Sequence, residues 1–332
     1  SILSTTKTKL RLHSKPLKTK KRRNIHRFMA LQLVVIGCGS ATPTGNRISS
    51  SFALKKGNEV FLIDCSEGSQ MRLKPYGIRM NKISRIFISH LHGDHYFGLV
   101  GLLSTFHLFG RKDKLHVYGH SLLKDIIDIQ MKVGNTSLSY PLHFHEIEAE
   151  KHALIYEDNA MTIETFPLIH SIPTNGFLFK EKGRPLNLKK DFVQTYNPSV
   201  DCMQSVKEGN DFIDSDGHVL LNKEITEPSS CKSKTFAYCS DTIYTESIIP
   251  YIKGADLLYH EATFMDDMLY AAKDKLHATA SQAARIAAAA EVKALLIGHY
   301  SARYASIDPL LEEAKLFFPN TIAAEEGLVI EV

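Results

Sequence analysis

Between positions 90 and 95 the chain reads His90-Leu91-His92-Gly93-Asp94-His95, three imidazoles and a carboxylate within six residues. Both groups are ligands for zinc and similar divalent ions. Burying four of them at one turn is costly unless a cation neutralises and coordinates them. Four more polar residues each end an apolar run: Asp64 after 60–63, His170 after 166–169, Asp241 after 236–240 and His299 after 294–298. Singly, each is an ordinary strand-end residue. Together with the cluster they exceed the four donors of a tetrahedral site, and donors converging from strand ends predict two metal ions.

Hydrophobic periodicity supplies the elements that would position these groups. Strands are expected at 30–37, 51–54 and 59–64, the last two as a hairpin-like pair. The RIFIS run at 85–89 reads as a buried strand leading directly into His90. Further strands are expected at 115–118, 142–147, 161–167, 235–240, 257–260, 294–299 and 327–332. Helices are expected at 66–73, 97–108, 122–133 and 279–290. Strands and helices alternate in two blocks, each opening with strands, which suggests a layered α/β sandwich. Residues 180–234 break this rhythm with GRP, NP, DG and EP turn signals and read as an inserted, partly mobile arm.

The composition, 44% hydrophobic and 23% charged, is that of a globular protein with a sizeable core. No run of 18 apolar residues occurs, which excludes a membrane-spanning helix. The five cysteines (Cys38, Cys65, Cys202, Cys231, Cys239) form no C-x-x-C pair, so neither a disulfide framework nor a cysteine-based zinc finger is expected. The formal net charge of +4 conceals two regions. Residues 1–28 hold ten Lys/Arg and no acid, and the remaining residues hold 30 basic against 36 acidic side chains. A nucleic-acid surface on the body would therefore be a local patch. The leader over 1–28 reads as disordered. It fits a translated upstream stretch, an organelle transit peptide or an RNA-binding basic arm, and residues 29–332 read as one domain carrying the insertion.

The H-x-H-x-D-H cluster resembles that of the metallo-β-lactamase superfamily. The stretches GCGSATPTGNRISSS at 37–51, FLIDCSEGSQ at 61–70, SHLHGDHYFGLVGLL at 89–103 and PLIHSIPTNGF at 167–177 are similar to the short-form ribonuclease Z (tRNase Z) family. So are YCSDT at 238–242, HEATF at 260–264, HATASQAA at 277–284 and GHYSARY at 298–304. Three features depart from the family pattern: Ser66 stands where Gly is usual, Ala278 where Ser is commoner, and the insertion lacks a Gly-Pro-rich tip. The resemblance implies a four-layer αβ/βα sandwich, a homodimer, cytoplasmic localisation and two zinc ions per chain. One zinc would be held by His90, His92 and His170, the other by Asp94, His95 and His299, with Asp241 bridging. Asp64 would orient an imidazole from behind, and His260 would support the site.

The implied reaction is hydrolysis of precursor tRNA, removing the 3′ trailer with a 3′-hydroxyl left on the tRNA. Asp94 can accept a proton from the attacking water. The leaving 3′-oxygen needs an acid, and the resemblance assigns that role to His277, with Glu261 fixing its tautomer. Ser301 and Arg303 are candidates for a neighbouring phosphate. His107, His116, His143 and His145 match no motif. Two other readings remain open: another phosphodiesterase or arylsulfatase-like hydrolase of the superfamily, or a non-catalytic RNA-binding scaffold.

Overall fold

Leu33 and Val35 pack into one hydrophobic cluster, and Val34 and Ile36, between and beyond them on the same strand, pack into another. That alternation is the period-2 signature of a strand buried on both faces, and it sets the layering. The computed structural model describes residues 31–44, 47–183, 186–227 and 233–332. The leader over 1–28, Arg184 and Cys231 lie outside the described residues. The first sheet contains β1 (Gln32–Gly37), β2 (Ser51–Lys56), β3 (Glu59–Ile63), β4 (Ile83–Phe87), β5 (Leu115–Gly119) and β6 (Leu142–Glu146). The second contains β7 (Ala153–Glu157), β8 (Met161–Leu168) and β9 (Thr174–Glu181). The short strands β10 (Asn187–Leu188), β11 (Phe212–Ile213), β12 (Val219–Leu220) and β13 (Thr226–Glu227) belong to the insertion. β14 (Thr235–Cys239), β15 (Leu257–Glu261), β16 (Leu295–Gly298) and β17 (Thr321–Ala323) complete the second sheet, and β18 (Val329–Glu331) returns to the edge of the first.

The sheet orders are β18-β1-β2-β3-β4-β5-β6 and β17-β16-β15-β14-β9-β8-β7. β3 to β6 run parallel, as do β14 to β17. Aromatic rings fill the space between the sheets: Phe52 lies 4.5 Å from Tyr259, and Phe87 lies 5.5 Å from both Phe177 and Phe179. Helices Leu99–Leu108 and Ser121–Val133 cover the outer face of the first sheet through Leu102, Leu103, Phe106, Leu123 and Ile127. Helices Ala280–Ala289 and Asp308–Lys315 cover the second through Ala283, Ala287, Leu310 and Ala314. The result is the four-layer αβ/βα sandwich expected from the sequence.

Most expected elements are present with their ends moved. The strand leading to His90 ends at Phe87, not Ser89. The helix expected from 66 begins at Ser69, because Gly68 at its N-cap takes the left-handed φ of 81° and cannot continue a helix backwards. β7, β9 and β17 were not expected; β9 is buried along most of its length and so carries no alternating pattern. The insertion is not merely turn-rich. Helices Lys190–Tyr196 and Val200–Lys207 close over Phe192, Val206 and Ile225, a small core of their own. It is rooted where β9 ends and β14 begins, at the end of the sheet opposite Asp241.

Candidate metal centre

The candidate donors all lie beyond the carboxyl ends of strands, where open α/β sheets bind ligands: Asp64 after β3, His90 after β4, His170 after β8, Asp241 after β14 and His299 after β16. His92 stands at the N-cap of a short helix, Gly93–Tyr96, that carries Asp94 and His95. Asp64 (φ 53°) and His299 (φ 62°) occupy the left-handed region, unusual for residues with a Cβ. Each turns its chain out of a strand at the point where the side chain must face the site, a placement typical of functional positions.

Two clusters result. His90, His92, His170 and Asp241 bring their donor atoms within 4.8 Å of one another, and Asp94, His95 and His299 do the same. His92 Nδ1 lies 3.2 Å from both His90 Nε2 and His170 Nε2. Asp241 reaches both groups: Oδ2 is 3.6 Å from His90 Nε2 and 3.5 Å from His95 Nε2, and Oδ1 is 3.2 Å from His299 Nε2. Asp94 Oδ2 is 3.6 Å from His95 Nε2 and 3.5 Å from His299 Nε2. Four donors around one ion with bonds of roughly 2.0–2.1 Å stand about 3.3 Å apart, so these spacings fit coordination. His95 Nε2, His299 Nε2 and Asp241 Oδ1 are buried with no hydrogen-bond partner in the chain, a costly state that a cation would relieve. The donor set therefore fits divalent metal.

The opposite nitrogen of each key ring is anchored. His95 Nδ1 lies 2.7 Å from Asp64 Oδ2, which also accepts from Tyr238 OH at 2.7 Å and Ser89 Oγ at 2.9 Å. His170 Nδ1 donates to Leu276 O at 2.9 Å, and His299 Nδ1 to Thr263 Oγ1 at 2.8 Å. Such contacts fix the tautomer that leaves Nε2 for a metal. Burial pushes the His90 and His170 pKa values down and so favours neutral rings. Burial disfavours charge on His95 as well, but Asp241, Asp64 and Asp94 outweigh it and hold its pKa well above the ordinary value. Burial likewise opposes ionisation of Asp94, yet His95 and His299 keep its carboxyl well below the usual range. Ala41 N donates to Asp94 Oδ2 at 2.8 Å.

Glu261 and His277 also meet. Glu261 Oε1 lies 2.8 Å from His277 Nδ1 and accepts from Ala278 N and Thr242 N, each at 3.1 Å. Oε2 accepts from Thr263 N at 3.0 Å and Thr263 Oγ1 at 2.7 Å. Ala278 thus serves through its backbone, which explains why a hydroxyl is dispensable there. The next helix starts immediately afterwards on a capping box between Thr279 and Gln282, which fixes His277 at its lip. Burial lowers the His277 pKa, but the Glu261 charge and hydrogen bond raise it further, to about 9. The carboxylate of Glu261 is kept ionised, against its burial, by the same partner.

A cleft of about 550 Å³ opens over the donors, lined in part by His92, Asp94, His170, Asp241, His277 and His299. Ser301 and Arg303 bond to each other, Arg303 Nε to Ser301 Oγ at 3.1 Å, but neither lines this cleft. His260 is buried, with Nδ1 2.7 Å from Glu261 O, and makes no hydrogen bond to the seven donors. The sequence reading missed Thr263, Ser89 and Tyr238. All three lie inside motifs already singled out, HEATF, SHLHGDH and YCSDT, yet nothing in a linear pattern shows which hydroxyl faces which ring.

A family model described as "Anti-Pycsar protein Apyc1" matches residues 31–205. Ribonuclease Z of Bacteroides fragilis is 44% identical over 301 residues, 91% of this chain and 99% of that protein. Ribonuclease Z of Cytophaga hutchinsonii is 46% identical over 300 residues, 90% of this chain and 95% of that protein. Among solved structures, the short form of human tRNase Z aligns with a TM-score of 0.66 at 26% identity, covering 90% of this chain and 98% of that one. The metallo-β-lactamase fold protein YhfI from Bacillus subtilis aligns at 0.63 with 22% identity, over 91% and 99% of the two chains, a likeness of fold. With the donors, their supports and the Glu261–His277 pair all in place, the chain belongs to the ribonuclease Z family.

Proposed function

We propose that this chain is a metal-dependent endoribonuclease that removes the 3′ trailer from precursor tRNA, leaving a 3′-hydroxyl on the tRNA and a 5′-phosphate on the trailer. The observation that carries this reading is the meeting of seven metal donors and a carboxylate-supported histidine in one cleft. The proposed cofactor is zinc, two ions per chain: His90, His92 and His170 hold one, Asp94, His95 and His299 the other, and Asp241 lies between. Bound there, the ions would lower the pKa of bound water and neutralise phosphate oxygens.

The chain's own groups do the rest. Asp94, held ionised and lining the cleft beside the donors, takes the proton of the attacking water. His277, with Nδ1 committed to Glu261, turns Nε2 toward the cleft and delivers its proton to the leaving 3′-oxygen. Against burial, Glu261 raises the His277 pKa to about 9, so the ring holds the proton that it delivers. Asp64 and Thr263 keep the His95 and His299 rings in register. His260 acts through the Glu261 backbone at most.

The insertion spanning about 180–234 is proposed to contact the tRNA body, supported by its separate core and its root far from Asp241. Net charge gives that contact little help, since residues 180–234 hold nine Lys/Arg against nine acids. Lys180 and Lys182 pair with Glu164 and Glu157, and Lys189 donates to Glu224 O. Residues 187–227 contain four lysines against eight acids. A homodimer belongs to the same reading. The helices that expose Met71 and Leu108 are joined by a Thr105–Gln70 hydrogen bond of 2.8 Å, offering a second copy apolar surface to cover. No helix among the described residues is long and apolar enough to cross a membrane. Cytoplasmic placement is proposed, and organelle import of the leader has no support from these bacterial relatives.

Cleavage of a precursor tRNA with a 3′ trailer, mapped to the nucleotide with and without chelator and run beside a small phosphodiester, tests the reading. Chelator-sensitive cutting at the trailer junction is expected. Hydrolysis of the small diester alone would return the chain to the wider phosphodiesterases of the superfamily.

A further inference from the structure

Phe97 is a large apolar side chain that joins none of the hydrophobic cores. It is 63% exposed, yet it lines the same cleft as the metal donors. An apolar ring left in water beside a cluster of charged groups calls for an explanation. Its position is fixed. Phe97 N donates to Gly93 O at 2.9 Å, three residues after Asp94. A Cβ built on Gly93 would meet the Phe97 ring at 2.2 Å, so the ring lies flat against bare backbone that only glycine provides. One face of the ring is thereby seated, and Tyr96 meets Phe97 in a T-shaped pair with 5.1 Å between centroids. The exposed part of the ring borders the cleft. Lys275 lines the same cleft and offers a cation to a phosphate.

From this geometry we infer that Phe97 is a stacking platform for a nucleobase flanking the scissile phosphate. Aromatic faces accept any base by stacking, without reading its hydrogen-bonding edge. A base laid on Phe97 fixes the rotation of the nucleotide about its sugar–phosphate bonds, so that the phosphate meets the donors in one orientation. Residues one helical turn apart are neighbours on a helix surface, which places the platform beside Asp94. The inference rests on the nuclease reading only in taking a polynucleotide as substrate.

The test uses full-length, metal-loaded protein and two esters with the same leaving group: thymidine 5′-(p-nitrophenyl phosphate), which carries a base, and methyl p-nitrophenyl phosphate, which does not. The ratio of kcat/KM between them is expected to fall roughly 5- to 150-fold in Phe97→Leu, which keeps apolar bulk but loses the flat ring. Phe97→Trp should hold or raise the ratio. The loss should appear in KM, and a trailer oligonucleotide should lose more affinity to an abasic replacement in wild type than in Phe97→Leu. A ratio unchanged across all three proteins would overturn the platform. Failure of wild type to cut precursor tRNA would overturn the nuclease reading instead, and the ester ratio would still decide the role of Phe97.

Discussion

His277 Nδ1 lies 2.8 Å from Glu261 Oε1, and that carboxylate is held by donors alone. A glutamine at 261 would turn an NH2 group toward other donors in a fully buried site, leaving them unpaired at about 1–3 kcal/mol. Glu261→Gln is therefore expected to be no milder than His277→Ala, and to lower thermal stability as well. A melting temperature equal to wild type would show that the pocket adapts to the amide.

His277→Ala should lower turnover on precursor tRNA by about 10²–10⁴-fold while metal content stays at the wild-type level. The deficit should shrink on a nitrophenyl ester, whose leaving group scarcely needs a proton. Equal losses on both substrates, or loss of metal, would make His277 structural. His95→Ala, by contrast, should impair both substrates and reduce the bound metal.

Thr263 joins Glu261 to His299 through one hydroxyl. Thr263→Val keeps the shape and deletes the relay, and is expected to weaken metal binding by about 10–100-fold, as loss of a partner behind a metal-bound histidine does. Chelator competition measures this directly. Thr263→Ser should restore wild-type affinity. Failure of serine to rescue would assign the defect to packing.

Replacing residues 186–227 with a short Gly-Ser loop should reduce kcat/KM on precursor tRNA far more than on a small diester. Because this segment is acidic, its removal should leave the salt dependence of precursor binding as steep as before. Removing an arm that gripped phosphates would instead flatten the dependence by about one unit for each lysine–phosphate pair. Similar losses on both substrates would show that the segment merely stabilises the sandwich.

The metal cluster was legible because its donors are close in sequence and because imidazoles and carboxylates have few other reasons to crowd one turn. The distant donors were legible as polar residues closing apolar runs. What linear order could not convey was which distant residues meet: that Asp64 stands behind His95, that Thr263 faces His299, or that Arg303 bonds Ser301. The same limit applies to the insertion. Its turn signals are real, but Phe192, Val206 and Ile225 lie too far apart in sequence to announce a common core, and its helices are too short to show a full amphipathic pattern. Lys180 and Lys182, at its root, are already paired with Glu164 and Glu157.

His90, His92, Asp94 and His95 hang from the first sheet, whereas His170, Asp241 and His299 hang from the second. Each bound ion would therefore act as a rivet between two slabs that otherwise meet mostly through aromatic and aliphatic packing, with a few hydrogen bonds such as Tyr238 OH to Asp64 Oδ2. Such packing resists separation but tolerates sliding; coordination bonds do not. Shear of one sheet past the other would be registered as ligand strain, so the metal would set the alignment of the halves as much as the halves set the metal. Fragments divided at the turn after β6 would then be expected to reassemble into an aligned sandwich in proportion to the divalent ion supplied.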